Sequence, residues 1–349
     1  MNFPKISILL PNLNMAAYLK ERLDTILAQT FTEWELVVVD GYSSDGSWDI
    51  IQEYAHKDNR MRIYQKPPLG IYDAFNKGVQ LTRGEYVYIA TSDDTMVPDC
   101  IEKMVSALEE HPECDICRCC LTIINELGEP HPTKRWENLP AQKFYSHLIG
   151  KKHIRLAPLD GVLHFGTWMP TLSFTQIMIR KSLFDKIGFF KSGWDSRSDF
   201  EWHMRAGLIC NIIHLPEYLA TWRIHENQAT QDNFPAAKIV EIKLEMMNEA
   251  WEIFDKFPEK KISINIKNHF LKQVKSEIIK ISIQSHKTIP SKLSNLLALF
   301  MKQPLPTLIY CSDALLRHDL RKNQYAITAW RMRKNLQKIN QNNKIKEDL

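Results

Sequence analysis

Two adjacent carboxylates, Asp93 and Asp94, follow the apolar run 86–90 in this chain of 349 residues. Side by side at the end of a buried strand, they repel unless a cation or hydrogen-bond donors lie between them. Hard oxygen ligands suit Mg²⁺ or Mn²⁺, cations that commonly arrive with a substrate diphosphate. The alternative is a pair of solvated loop acids leading towards Pro98. Two more polar clusters end apolar runs: Pro11-Asn12-Leu13-Asn14, and Asp40-Gly41-Tyr42-Ser43-Ser44-Asp45-Gly46-Ser47. Their acids could cap the helices that follow or face a ligand.

Such clusters need a scaffold that brings strand ends together. Residues 6–10 are a β-branched and leucine run stopped by Pro11, and 16–29 carry Leu19, Leu23, Ile26 and Leu27 at helical spacing. Strand-like runs at 35–39, 62–64 and 86–90 alternate with helical patterns at 47–56, 71–81 and 98–110. This alternation predicts an α/β fold, a Rossmann-like and mostly parallel sheet flanked by helices on both faces. Ligands of such sheets bind at the carboxyl ends of the strands, where all three clusters fall. After about residue 231 the strand patterns stop. Segments 236–254 and 264–281 read as amphipathic helices. The chain divides on this reading into 1–230, an α/β domain, and 231–349, a basic helical C-terminal extension.

A hydrophobic fraction of 44% and a charged fraction of 25% exclude wholesale disorder. The net charge of +4 is too mild to argue for a nucleic-acid binder. It conceals an asymmetry, because residues 256–349 hold 19 Lys/Arg against 6 Asp/Glu, or +13, leaving −9 on residues 1–255. That basic region, with Tyr325 and Trp330 in it, either packs on the core with a solvated face or lies on an anionic membrane leaflet. Seven cysteines, four of them at 114, 117, 119 and 120, lack a second Cys/His pair at zinc-finger spacing. With no leader pattern at the start and no uninterrupted run of about 18 apolar residues, the expectation is a reduced cytoplasmic setting. Tyr42 could stack on a base. Lys151-Lys152-His153 and Arg155 read as a solvated face. His164, Phe165, Trp168 and Met169 read as a lid over a binding cleft or as ordinary packing.

Read together, SILLPNLNMAAYL, ILAQTFTEWELVVVDGYSSDGS and GIYDAFNKGVQLTRGEYVYIATSDD resemble the family-2 glycosyltransferases of the GT-A fold. The likeness runs over about 5–230 and is greatest for the branch that writes DGGSTDGT and GIYDAMNKG. It implies an inverting transfer of sugar from a nucleotide-sugar, a UDP-sugar first of all, to a hydroxyl of a glycan or lipid-linked glycan in surface polysaccharide or lipopolysaccharide synthesis. It implies Mn²⁺ or Mg²⁺, with Asp94 as metal ligand and Asp93 on the ribose or the metal's water shell. Asp40 would accept from the base edge, and Asp45 would hold the nucleotide loop. Pro11 and Asn14 would line the base and ribose pocket, with Asp73 and Asn76 facing the donor.

Downstream, Ser198-Asp199-Phe200-Glu201-Trp202 resembles the family's general-base segment, which makes Asp199 the implied base and Glu201 the second candidate. Trp222-Arg223-Ile224-His225 resembles the ending that closes over the diphosphate, with Arg223 on the donor and His225 within reach of the metal. Some positions depart from the pattern: Gly41 stands for a second Asp, Pro67-Pro68-Leu69-Gly70 stands for P-D-[KR]-G with Lys66 beside it, and Ser198 replaces an acid. The rival readings are an inactive GT-A-like binding subunit and a nucleotidyltransferase, which would need a basic Gly-rich loop after the first strand. No nucleic-acid partner is expected. The implied location is cytoplasmic, peripheral on the inner face of the cell membrane if the basic tail binds lipid.

Overall fold

The computed structural model describes residues 3–139, 142, 145, 148–158, 160–161, 164, 171, 173–194, 197–226, 228, 236–257 and 301. Its first half alternates strand and helix as the sequence pattern requires: β1 (Ile6–Asn12), α1 (Ala16–Leu27), β2 (Trp34–Asp40), α2 (Ser47–Lys57), β3 (Met61–Gln65), α3 (Ile71–Leu81), β4 (Tyr86–Ile89) and α4 (Cys100–Glu110). The second half adds β5 (Cys114–Ile124), β6 (His153–Arg155), β7 (Ile177–Arg180), α5 (Ser182–Ile187), α6 (Ser198–Ile209), β8 (Asn211–Arg223) and α7 (Ala236–Phe254). The strands form one eight-stranded sheet in the order β3-β2-β1-β4-β7-β5-β8-β6. Pairings β1–β2, β1–β4, β2–β3 and β5–β8 are parallel, and β7 joins the two halves by antiparallel pairing to β4 and β5.

Period-two alternation sends each strand's side chains to two separate cores. Leu9, Val37, Val39, Val87 and Ile89 face α3, α5, α6 and α7, while Ile8, Leu10, Leu36, Val38 and Tyr88 face α1, α2 and α4. Helix α6 is buried nearly all round, as a helix covered on every side should be. Helix α7 covers it with Ile242, Met246, Met247, Ala250, Trp251 and Phe254, all buried in the same core. Helix α7 thus shares one core with the α/β elements. Segments 264–281 and 293–300 and the basic tail lie outside the described residues, as do Phe165, Trp168 and Met169 of the expected lid. The lid's His164 is buried. No described helix is long and apolar enough to cross a membrane.

The solvated face expected at Lys151-Lys152-His153 and Arg155 holds for Lys151, which is exposed, and is corrected for His153 and Arg155. Strand alternation turns His153 and Arg155 inward, each 1% exposed. They join a polar layer with Arg118, Tyr145, Asp160 and His214. Arg118 Nη2 lies 2.8 Å from Asp160 Oδ2, Tyr145 donates to Asp160 Oδ1 at 2.7 Å, and Arg155 Nε reaches His153 Nε2 at 3.2 Å. Although burial opposes its ionisation, Arg118 and Arg155 hold the Asp160 carboxyl well below the usual range. Gly161 lies against α6 so closely that a Cβ on Gly207 would come within 2.4 Å of the Gly161 nitrogen, which presses Asp160 onto that helix.

Four histidines of this region are held neutral. Burial and then Arg155 push His153 down to about 4, burial and then Arg118 push His203 down to about 3, and burial holds His164 and His214 well below the usual value. An unfolded histidine titrates near 6.5, so below that pH the unfolded chain takes up protons that the folded chain refuses. Stability is full above pH 6.5 and falls as pH drops towards 4, by up to about 1.4 kcal/mol per pH unit for each histidine. Thermal unfolding at pH 7 and pH 5 checks this, with a clear drop in Tm expected; an unchanged Tm would mean that these rings accept protons in the folded state.

Candidate active site

The carboxyl ends of β1, β2 and β4 open into a cleft of about 450 Å³, closed on its other side by Phe174 and the first turn of α6. Of the expected site residues, Pro11, Asp40, Asp93, Asp94 and Asp199 line it. Asn14, Asp45, Asp73, Asn76, Glu201, Arg223 and His225 are not among its lining residues.

Asp40 ends β2 beside Asn12 of β1 in parallel register and is fully buried. Its Oδ1 accepts from Asn12 Nδ2 at 2.8 Å and from Ser43 Oγ at 2.6 Å; its Oδ2 accepts from the Ser43 N–H at 3.0 Å and from Gln65 Nε2 at 3.2 Å. The loop after it turns sharply, with Tyr42 at φ +57° and Asn14 of the facing loop at φ +53°. A left-handed backbone is natural for Asn and costly for Tyr. Asn14 is exposed and accepts from the Ser44 N–H at 2.9 Å, so it stitches the two loops together rather than lining the pocket. Asp45 accepts from Ser47 N–H and Oγ at 3.0 and 2.6 Å and from the Ala16 N–H at 2.8 Å, which caps α1 from the neighbouring loop. Burial opposes its ionisation, but these donors hold its carboxyl below the usual range.

Asp93 and Asp94 are adjacent in sequence and opposite in environment. Asp94 is 2% exposed. Its Oδ1 accepts from the Arg223 N–H at 2.7 Å, and its Oδ2 from Thr91 at 2.5 Å and Ser173 at 3.2 Å. Burial, and then the neighbouring Asp93 charge, push its pKa up to about 7. Asp93 keeps a fifth of its side chain exposed, with Oδ2 3.0 Å from His225 Nε2. His225 packs its ring on Tyr18, 4.9 Å between centroids.

The donor contact expected of Arg223 is corrected by its partners. It is 1% exposed, and its guanidinium donates to the Asp93 carbonyl at 2.6 Å, the Glu126 carbonyl at 3.0 Å and Glu21 at 2.6 Å. All three nitrogens are engaged, which makes it the brace behind the Asp93 backbone. The same holds for Asn76, which clamps the Phe190 backbone through both amide atoms at 2.8 and 3.0 Å. Asp73 forms an ion pair with Lys66, and it is Lys66 that lines the cleft.

Asp199 sits in the first turn of α6, where the helix dipole favours an ionised carboxylate. Its Oδ1 accepts from the Phe200 N–H at 2.7 Å, and its carbonyl bonds the His203 ring at 2.8 Å. Glu201, the second candidate base, is fully buried and paired in two places with Arg205, at 2.6 and 2.7 Å. Two residues along a helix is about 200° around it, so Glu201 points away from the cleft that Asp199 lines. Sequence reading missed the cleft's cation, Lys66, as a functional group, and it missed Asn12. Asn12 carries a buried Oδ1 without a partner among the described residues, and a polar residue ending an apolar strand was the available signal.

A mostly parallel sheet whose strand ends converge on a carboxylate-lined cleft is the arrangement of the GT-A class. The family model of glycosyl transferase family 2 matches residues 7–188, and the chain belongs to that family. EpsH of Bacillus subtilis (strain 168), named as a glycosyltransferase, is 32% identical over 232 residues, 66% of this chain and 64% of EpsH. A PGL/p-HBAD biosynthesis glycosyltransferase of Mycobacterium bovis (strain BCG / Pasteur 1173P2) is 36% identical over 118 residues, 33% of this chain and 46% of that protein. The chain thus spans less than two thirds of either relative. The crystal structure of S. aureus TarS 1–349 in complex with UDP-GlcNAc superposes with a TM-score of 0.55 at 17% identity, covering 88% of this chain and 89% of that one; this likeness concerns the fold alone.

Proposed function

We propose that the chain transfers a sugar from a UDP-sugar to a hydroxyl of a glycan or lipid-linked glycan, inverting the anomeric carbon. The observation that carries this reading is the placing of Asp199 and Asp93, from different halves of the sequence, in the wall of one cleft. In the reaction the bond between C1 and the diphosphate oxygen breaks while the acceptor oxygen forms its bond to C1. Asp199 accepts the acceptor's proton. Single displacement from the opposite face inverts the centre.

The lining sets Asp40, Asp93, Asp94 and Asp199 against the one ammonium of Lys66, itself paired with Asp73. A diphosphate entering such a lining needs a cation. Among the described residues no group of three His, Cys, Asp or Glu is placed to hold a metal. That fits a cation held by one or two protein ligands, with substrate phosphates and water completing its shell. Asp94 has protein donors on both oxygens, whereas Asp93 and His225 keep the freer pair, so in this reading Asp93 and His225 would hold Mn²⁺ or Mg²⁺ and Asp94 braces Arg223. When bound, the cation supplies Lewis-acid neutralisation of the leaving diphosphate.

A panel of nucleotide-sugars tested for thermal stabilisation with and without Mn²⁺, followed by assay of nucleotide release, tests the proposal. Stabilisation by UDP-sugars that depends on Mn²⁺ is expected. Failure of every nucleotide-sugar to stabilise or react would leave the inactive binding subunit as the better reading. The basic region 256–349 suits an anionic membrane surface on the cytoplasmic side, to be checked by comparing full-length binding to anionic and neutral vesicles.

A further inference from the structure

We infer that Arg22 is a fixed positive charge beneath the candidate cation site, one that strengthens the hold on the donor's diphosphate and weakens the hold on a free divalent cation. This rests on the donor reading above and goes beyond it.

Among the described residues five arginines are buried. Four of them meet a carboxylate. Arg118 and Arg155 lie 2.8 and 3.6 Å from Asp160, Arg205 lies 2.6 Å from Glu201, and Arg223 lies 2.6 Å from Glu21. The fifth, Arg22 of α1, is fully buried, and its Nε, Nη1 and Nη2 have no hydrogen-bond partner among the described residues. A guanidinium carries its charge even where it is buried. A buried charge without a partner destabilises the fold, so the charge that Arg22 serves lies beyond ion-pair distance.

Two routes lead to that charge. Along α1, Arg22 stands one turn after Tyr18 and shares its face. Tyr18 packs on the His225 ring, and the Arg223 guanidinium carbon lies 4.9 Å from the Tyr18 ring centroid. Across the sheet, the Arg22 guanidinium carbon lies 5.8 Å from the Tyr88 ring centroid. Tyr88 donates its hydroxyl to the Thr175 carbonyl at 2.7 Å, and the Thr175 hydroxyl lies 3.5 Å from Asp94 Oδ2. Both routes end at the Asp93–Asp94 turn. The reach of the charge shows there: burial and then Asp93 raise the Asp94 carboxyl, and Arg22 opposes that rise.

A charge inside the protein acts over several ångströms and is little screened by salt. The cleft sets four carboxylates, Asp40, Asp93, Asp94 and Asp199, against Lys66, a lining that would collect free cations. The Arg22 charge beneath it repels a lone cation and attracts a diphosphate. The cation is then held best when the diphosphate comes with it.

Calorimetry of the full chain tests this, with Mn²⁺ alone and with UDP at saturating Mn²⁺. Arg22→Met removes the charge and keeps much of the volume. It should bind Mn²⁺ alone at least about threefold more tightly and UDP at least about threefold more weakly, the scale of a unit charge acting over several ångströms at an effective dielectric of about 20. Its Tm should rise, because an unpaired buried charge has gone. Arg22→Gln, uncharged but polar, should show the same two opposed shifts in affinity. Loosening of α1 would instead weaken both ligands and lower Tm. That result, or unchanged affinities in the folded variants, overturns the inference and leaves the donor reading standing. Opposed shifts in only one of the two variants would reflect shape rather than charge and overturn it equally. Failure of the unaltered chain to bind UDP with Mn²⁺ overturns the donor reading and this inference together.

Discussion

Asp199→Asn is expected to lower kcat at least about 100-fold while leaving nucleotide affinity unchanged, the usual scale for loss of a general base. The substitution keeps the side chain's shape and removes its ability to take a proton. Asp199 lines the cleft from the first turn of α6, and that helix is fixed from several sides. Trp202 donates to the Gly188 carbonyl at 3.0 Å, Arg205 to the Phe189 carbonyl at 2.9 Å, and α7 covers the outer face. Asparagine at 199 should therefore sit where aspartate did, and the loss should appear in kcat rather than in folding. Glu201→Gln is the contrast. It weakens a buried ion pair with Arg205, so it should lower stability by about 2 kcal/mol and leave kcat of the folded fraction near wild type. Steady-state kinetics together with denaturant unfolding separate the two. Near wild-type turnover by Asp199→Asn would remove the base assignment, and a kcat defect in folded Glu201→Gln would move it to Glu201.

Asp93→Ala is expected to abolish the contribution of Mn²⁺ to UDP binding, weakening it by about 100-fold or more. Asp94→Ala should act differently. It strips the Arg223 N–H, Thr91 and Ser173 of their common acceptor inside the protein, so a loss of stability of about 2 kcal/mol is expected. Calorimetry of UDP binding with and without Mn²⁺, run beside thermal unfolding of each variant, distinguishes the two residues. Retention of the Mn²⁺ effect in Asp93→Ala and its loss in a folded Asp94→Ala would return the metal to Asp94.

The contrast between these neighbours shows where sequence reading stops. The elements were legible because they are local. The run 71–81 was read from apolar spacing and is the span of α3, and 236–254 is the span of α7. Run 6–10 lengthens by two residues at its end into β1, and 35–39 by one at each end into β2, because the paired strands carry the ladder from Ile6 and Trp34 through Asn12 and Asp40. The carboxylate clusters at strand ends were legible for the same reason, since a parallel sheet gathers those ends. Partners distant in sequence were not legible. Asp94 meets Arg223 and Ser173, Asn76 meets Phe190, and Arg118 meets Asp160, each pair separated by 42 residues or more. A motif names a residue type at a place. Which oxygen is already taken depends on donors that only the folded chain delivers. Arg155 was misread for a related reason, because a basic cluster looks solvated until strand alternation turns its members inward.

The cysteines, which lack the spacing of a zinc finger, have a different consequence. All six described cysteines are buried, and burial pushes the thiols of Cys100, Cys114 and Cys120 up to about 12. Only a thiolate reacts with disulfide reagents or peroxide at an appreciable rate. These sulfurs are therefore silent while the sheet is closed, and each becomes reactive only when its strand or helix opens. With Cys311 replaced by serine, the rate at which the chain takes up a thiol dye becomes a clock for opening of the sheet between β5 and its neighbours. The chemistry that might have marked a site instead reports how often the scaffold lets water in.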